Sequence, residues 1–166
     1  MTAPRTVLVG PPGAGKTTVG RLLADRLGLP FRDTDADIET EQGKSVAEIF
    51  YDDGEDRFRE LERAAVKAAL EQFDGVLSLG GGAVLAEETR ALLQGHHVVF
   101  LNVGLGPAAK RVGLARDRPV LALNPRASLH QLLEKRLPLY REVADLEIET
   151  DERTPSQVTT AILQAL

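Results

Sequence analysis

The chain has no cysteine among its 166 residues. That excludes disulfides, a thiolate metal centre and a cysteine nucleophile. It has no tryptophan, and its aromatics are two tyrosines and five phenylalanines, so its core must be built from aliphatic side chains. Positive charge is in deficit: 20 lysines and arginines against 25 acidic residues leave a formal net charge of −5. A nucleic acid or an anionic membrane surface is therefore not an expected partner. No apolar run reaches the roughly 20 residues that span a bilayer. The amino-terminal MTAPRTVLVG has too short an apolar stretch for a secretory leader and reads instead as a first strand. The expectation is one cytoplasmic, monomeric domain, residues 1–166.

What is present begins with GPPGAGKTTVG, residues 10 to 20. The apolar run Thr6 to Val9 precedes it, and Val19, Leu22, Leu23 and Leu27 follow at helical spacing. Strand, glycine loop and helix are the setting of a P-loop. Gly10, Gly13 and Gly15 let successive backbone N–H groups turn towards phosphate oxygens. The helix start adds partial positive charge. Lys16 reaches the β- and γ-phosphates, and the Thr17 hydroxyl suits Mg²⁺.

Strand and helix patterns alternate along the rest of the chain. Strands are expected at Phe31–Asp33, Gly75–Leu79, His97–Leu101 and Leu146–Ile148. Helices are expected from Ile38 to Gly43, Ser45 to Phe50, Glu55 to Phe73, Glu87 to Leu93, Pro107 to Leu114, Leu129 to Val143 and Pro155 to Leu166. This alternation predicts an α/β fold with a parallel sheet covered on both faces. The stretch Arg116 to Ala127 lacks a period and carries Pro119 and Pro125; a loop of that length suits a lid.

Two further clusters belong to strand ends. Asp33 and Asp35 flank Thr34 and, in an extended chain, project the same way. They could serve Mg²⁺ and a proton-accepting role, or cap a helix; the residues alone leave both open. Gly80-Gly81-Gly82 is costly in chain entropy, so a tight turn or a closely approaching group must need bare backbone there. Arg59, Arg118 and Arg136 offer guanidinium forks suited to carboxylate or phosphoryl oxygens.

GPPGAGKTTVG, DTDADIE, FRELE, SLGGGAV and KRLPLYREVA, in this order, resemble the shikimate kinase family from Val7 to about Leu166. The resemblance implies a P-loop, nucleoside-monophosphate-kinase-like three-layer fold, with a five-stranded parallel sheet in the order 2-3-1-4-5 and a lid. It implies ATP-dependent phosphorylation of the shikimate 3-hydroxyl, a step towards chorismate and the aromatic amino acids. ATP would lie on Gly13, Ala14, Gly15, Lys16, Thr17 and Thr18, with Arg111 and Arg153 on the adenine side. Mg²⁺ would lie at Thr17 and Asp33. Shikimate would contact Asp35, Arg59, Gly80, Gly81, Gly82 and Arg136, within an acceptor region of about 33–62. Arg118 would reach the transferring phosphoryl from a lid of about 114–127. Lys16, Asp35 and Arg118 would be catalytic. The alternatives are a kinase resembling gluconate kinase, or a nucleotide-binding regulatory protein. A guanine-nucleotide switch is disfavoured, because no Asn-Lys-x-Asp segment follows a strand.

Overall fold

The computed structural model describes residues 3–103 and 125–166. Five strands form one sheet: β1 (Thr6–Val9), β2 (Phe31–Asp33), β3 (Val76–Ser78), β4 (Val98–Asn102) and β5 (Leu146–Glu149). Their order is β2-β3-β1-β4-β5, and every pairing is parallel. The three central strands, TVLV, VLS and VVFLN, are buried almost throughout, as parallel strands covered on both faces must be. Alternation then sorts their side chains. Leu8, Val99 and Leu101 join one core cluster, with Val19, Leu23, Val158 and Ile162. Val7, Val9, Val98 and Phe100 join another, with Val66, Leu70 and Tyr140.

The helices are α1 (Lys16–Leu27), α2 (Thr34–Gln42), α3 (Val46–Asp53), α4 (Glu55–Gln72), α5 (Glu87–Leu93), α6 (Pro125–Val143) and α7 (Pro155–Ala165). A 3₁₀ turn, Ala83–Leu85, follows the three glycines. Ser45 and Thr154 head α3 and α7 with complete capping boxes. A third, smaller cluster of Ile38, Val46, Ile49 and Phe58 packs α2 and α3 against α4.

Two expectations are corrected. Asp33 and Asp35 do not lie in one extended run: the strand ends at Asp33, and the helix expected from Ile38 already starts at Thr34. The Asp33 side chain stops the strand by accepting the helix's first amides. Helix α6 opens at Pro125, inside the stretch read as aperiodic; a proline at a helix start carries no apolar periodicity to reveal it. The expected helix Pro107 to Leu114 lies outside the described residues.

Candidate active site

The carboxyl ends of β1, β2 and β3 open onto one edge of the sheet. After β1 the chain turns through Gly10 (φ +153°), Gly13 (φ +82°) and Gly15 (φ +89°). Gly10 also lies against β4: a Cβ there would stand 2.5 Å from the Leu101 carbonyl oxygen. Gly15 begins α1 and has no side chain to cap it, which leaves first-turn N–H groups to an anion. The Lys16 ammonium donates to the Gly10 and Pro11 carbonyls at 2.7 and 3.0 Å, so it is folded back over the loop. Ala14 is buried beneath the loop, and Thr18 is exposed on the first turn of α1.

Asp33 does two things at once. Its Oδ1 accepts from the Asp35 and Ala36 amides at 2.9 and 3.4 Å, capping α2. Its Oδ2 accepts from the Thr17 hydroxyl at 3.2 Å. Burial, and then the neighbouring Asp35 carboxylate, push Asp33 above the usual aspartate range. The Thr17 hydroxyl and Asp33 carboxylate are hard oxygen donors beside the phosphate loop. Among the described residues no group of three or more His, Cys, Asp or Glu could hold a metal. The pair fits Mg²⁺, which takes one or two protein ligands and completes its shell with water and phosphate oxygens.

The three glycines after β3 form a floor, and each makes room for a different neighbour. A Cβ on Gly80 would stand 2.5 Å from Asp35 Oδ1 and 3.0 Å from Glu62 Oε2. On Gly81 it would meet Pro12 of the phosphate loop at 3.0 Å. On Gly82 it would strike the guanidinium of Arg59. The requirement is close approach, not left-handed backbone. The Gly80 amide donates to the buried Thr34 hydroxyl at 3.3 Å, and the Gly81 carbonyl accepts from the Tyr140 hydroxyl at 2.5 Å.

Two guanidinium groups converge on this floor. Arg59, on α4, donates to Glu62 at 2.8 Å and to Glu55 at 3.4 Å and lies over the Phe58 and Phe50 rings at 5.3 and 5.8 Å. Arg136, on α6, is 6% exposed, and its buried Nε has no hydrogen-bond partner among the described residues. Burial lowers its pKa first, and the positive charge of Arg59 lowers it further, against the raising effect of the Tyr140 hydroxyl. A cation held in this way is stabilised by an added anion.

The edge thus brings together residues 13–18, Asp33, Asp35, Arg59, Gly80–Gly82 and Arg136. Arg153 is exposed in the turn between β5 and α7. Arg111 and Arg118, with the lid up to residue 124, lie outside the described residues. Sequence reading passed over Glu62, Tyr140 and Pro12. Glu62 sits in the buried stripe Phe58, Glu62, Val66, Ala69; a carboxylate three residues from Arg59 on that stripe is a readable ion-pair signal. Tyr140 follows Arg136 by one helical turn. Nothing in the sequence marks the approach of Pro12.

A profile described as shikimate kinase matches residues 12–166. The chain is 57% identical to the shikimate kinase of Salinispora arenicola, over 99% of this chain and 98% of that one. It is 55% identical to the shikimate kinase of Streptomyces coelicolor, over 100% and 97%. Among solved structures, shikimate kinase from Acinetobacter baumannii in complex with shikimate superimposes with a TM-score of 0.93 at 39% identity, covering 99% of this chain and 93% of that one.

Proposed function

We propose, for a chain that belongs to the shikimate kinase family, that it transfers the γ-phosphoryl group of ATP to the 3-hydroxyl of shikimate, giving shikimate 3-phosphate and ADP. The observation that carries the reading is the convergence of Arg59 and the buried Arg136 beside Asp35 on the glycine floor, on the same sheet edge as the phosphate loop. An acceptor with a carboxylate at one end and hydroxyls at the other satisfies both halves of that arrangement.

In this reading residues 13–18 hold the ATP phosphates, and Lys16 follows the charge that develops on the transferring group. Arg59 and Arg136 grip the acceptor carboxylate, converting an encounter into an oriented reaction. The Gly80–Gly82 backbone lines the same site. Asp35, its carboxylate over the bare Cα of Gly80, orients the attacking hydroxyl and accepts its proton. Thr17 and Asp33 would hold Mg²⁺, which when bound neutralises charge on the β- and γ-phosphates. Arg118 acts from the lid of about 114–127, the acceptor region spans about 33–62, and Arg111 and Arg153 serve the adenine side. We place the protein in the cytoplasm as a single-domain monomer that acts on small molecules, without a nucleic-acid or membrane partner. Among the described residues no helix is long and apolar enough to cross a membrane.

The test is ADP release with shikimate, with gluconate and with no acceptor. Release that depends on shikimate is expected. Release with gluconate in its place, or equal release with no acceptor, overturns the reading.

A further inference from the structure

We propose that Tyr140 is a positioning residue for the acceptor carboxylate, its hydroxyl tying the Arg136 guanidinium to the Gly81 peptide. The inference rests on the acceptor reading above. Tyr140 is 1% exposed and packs its ring on Phe100, with centroids 5.0 Å apart. That contact accounts for the ring. It does not account for the hydroxyl, which a phenylalanine would lack at little cost in packing.

The hydroxyl donates to the Gly81 carbonyl at 2.5 Å, in the middle of the glycine floor. The Gly80 and Gly82 carbonyls are taken by the backbone amides of Ala83 and Leu85, at 3.1 Å each. The Tyr140 hydroxyl thus holds the peptide between them, in a segment whose residues have no side chains of their own to anchor it. Arg136 stands one helical turn earlier on α6 and is buried like Tyr140, so the phenol oxygen, having donated its proton, keeps lone pairs on the side of the molecule where that guanidinium lies. One atom therefore holds the floor beside one jaw of the clamp. Burial pushes the Tyr140 phenol up to about 12, so the hydroxyl remains a donor throughout the working pH range.

A bidentate grip on a carboxylate depends on guanidinium orientation. Losing the hydroxyl should therefore weaken acceptor binding and spare the nucleotide. The experiment compares full-length wild type with Tyr140→Phe, Arg136→Lys and the double variant, in steady-state kinetics and thermal melting. For Tyr140→Phe the expected result is a KM for shikimate raised on the order of tenfold, a KM for ATP within about twofold, and a melting temperature close to wild type. In the Arg136→Lys background the same change should add less than about twofold, because the group it positions is already altered. A shikimate KM within about twofold of wild type, an equal rise for both substrates, or full additivity overturns the proposal. Wild type that fails to phosphorylate shikimate overturns the acceptor reading instead.

A second measurement needs no change at Tyr140. The chain has no tryptophan and two tyrosines, and Tyr51 is 86% exposed. In Tyr51→Phe, Tyr140 is the only tyrosine, and saturating shikimate should perturb its ultraviolet absorption. No change at saturation counts against the proposal.

Discussion

At the scale of single residues, the two neighbouring aspartates straddle the junction of β2 and α2 and differ in what they touch. Asp33 spends one carboxylate oxygen on the cap of α2 and the other on Thr17; Asp35 lies over Gly80. Asn caps helices about as well as Asp, so Asp33→Asn keeps the structural half of the role. The sign of the stability change follows from the raised pKa of Asp33. The fold disfavours the ionised form, so the native state binds the proton more tightly than the unfolded chain does. Stability from this group therefore falls as pH rises through the interval between the unfolded and folded pKa values. At neutral pH, Asp33→Asn should melt at or above the wild-type temperature, and the gain should vanish at pH below the unfolded value. Its activity should fall and be partly restored by added Mg²⁺. Asp35→Asn should lose on the order of 10²–10⁴ in kcat, as removal of a general base does, with no recovery. Rate measurements across a Mg²⁺ series, with melting curves across pH, check both. Rescue of the Asp35 variant alone means that the two roles are reversed.

At the scale of elements, the glycine floor is the unit at which α2, α4, α6 and the phosphate loop meet. Gly82→Ala places a methyl group against the Arg59 guanidinium, the end of a long side chain that can shift. The variant should fold with little loss of stability and bind shikimate on the order of tenfold more weakly, since a bidentate charge-assisted contact is misaligned; titration calorimetry with shikimate and with ATP reads the difference. Gly80→Ala is harsher, because Asp35 and Glu62 both lie against the site of the new methyl group. The three glycines were legible as a demand for bare backbone; which neighbours made that demand was not. Strand ends, capping boxes and the phosphate loop depend on local chemistry, and they fall where the residue types put them: Ser45 with Glu48, Gly28 closing α1, the buried TVLV run. The convergence of Arg59 and Arg136 depends on α4 and α6 meeting across 77 positions of sequence, and here only motif resemblance pointed to it. Tyr140 escaped notice for the same reason: its packing on Phe100 and its bond to Gly81 are both long-range.

At the scale of the whole molecule, the core is uneven, and the unevenness follows the division of labour. The sheet is sandwiched between two large clusters. The side proposed to take the acceptor rests on the small cluster of Ile38, Val46, Ile49 and Phe58, with partly buried Phe50, Leu61 and Ala65. Helix α2 buries only Thr34 and Ile38, and α3 only Val46 and Ile49. Segments with little buried apolar surface open at a fraction of the global unfolding free energy. The amides of α2 and α3 should therefore exchange with solvent hydrogen faster than those of β1, β3 and β4. The ligands should then act differently. In the proposed reading shikimate is held by Asp35 on α2 and Arg59 on α4, and it has no site when that region opens. It should slow exchange in α2 and α3 by a factor near 1 + [L]/Kd. ATP alone, which the same reading puts mainly on the loop between β1 and α1, should slow exchange in the first turn of α1 and change α2 and α3 much less. Hydrogen exchange read by mass spectrometry or NMR, with each ligand added singly at 100 times its Kd, separates the two. Equal protection of α2 and α3 by both ligands would mean that the acceptor region opens only with the whole fold, and that the small cluster is no weaker than the sheet it borders.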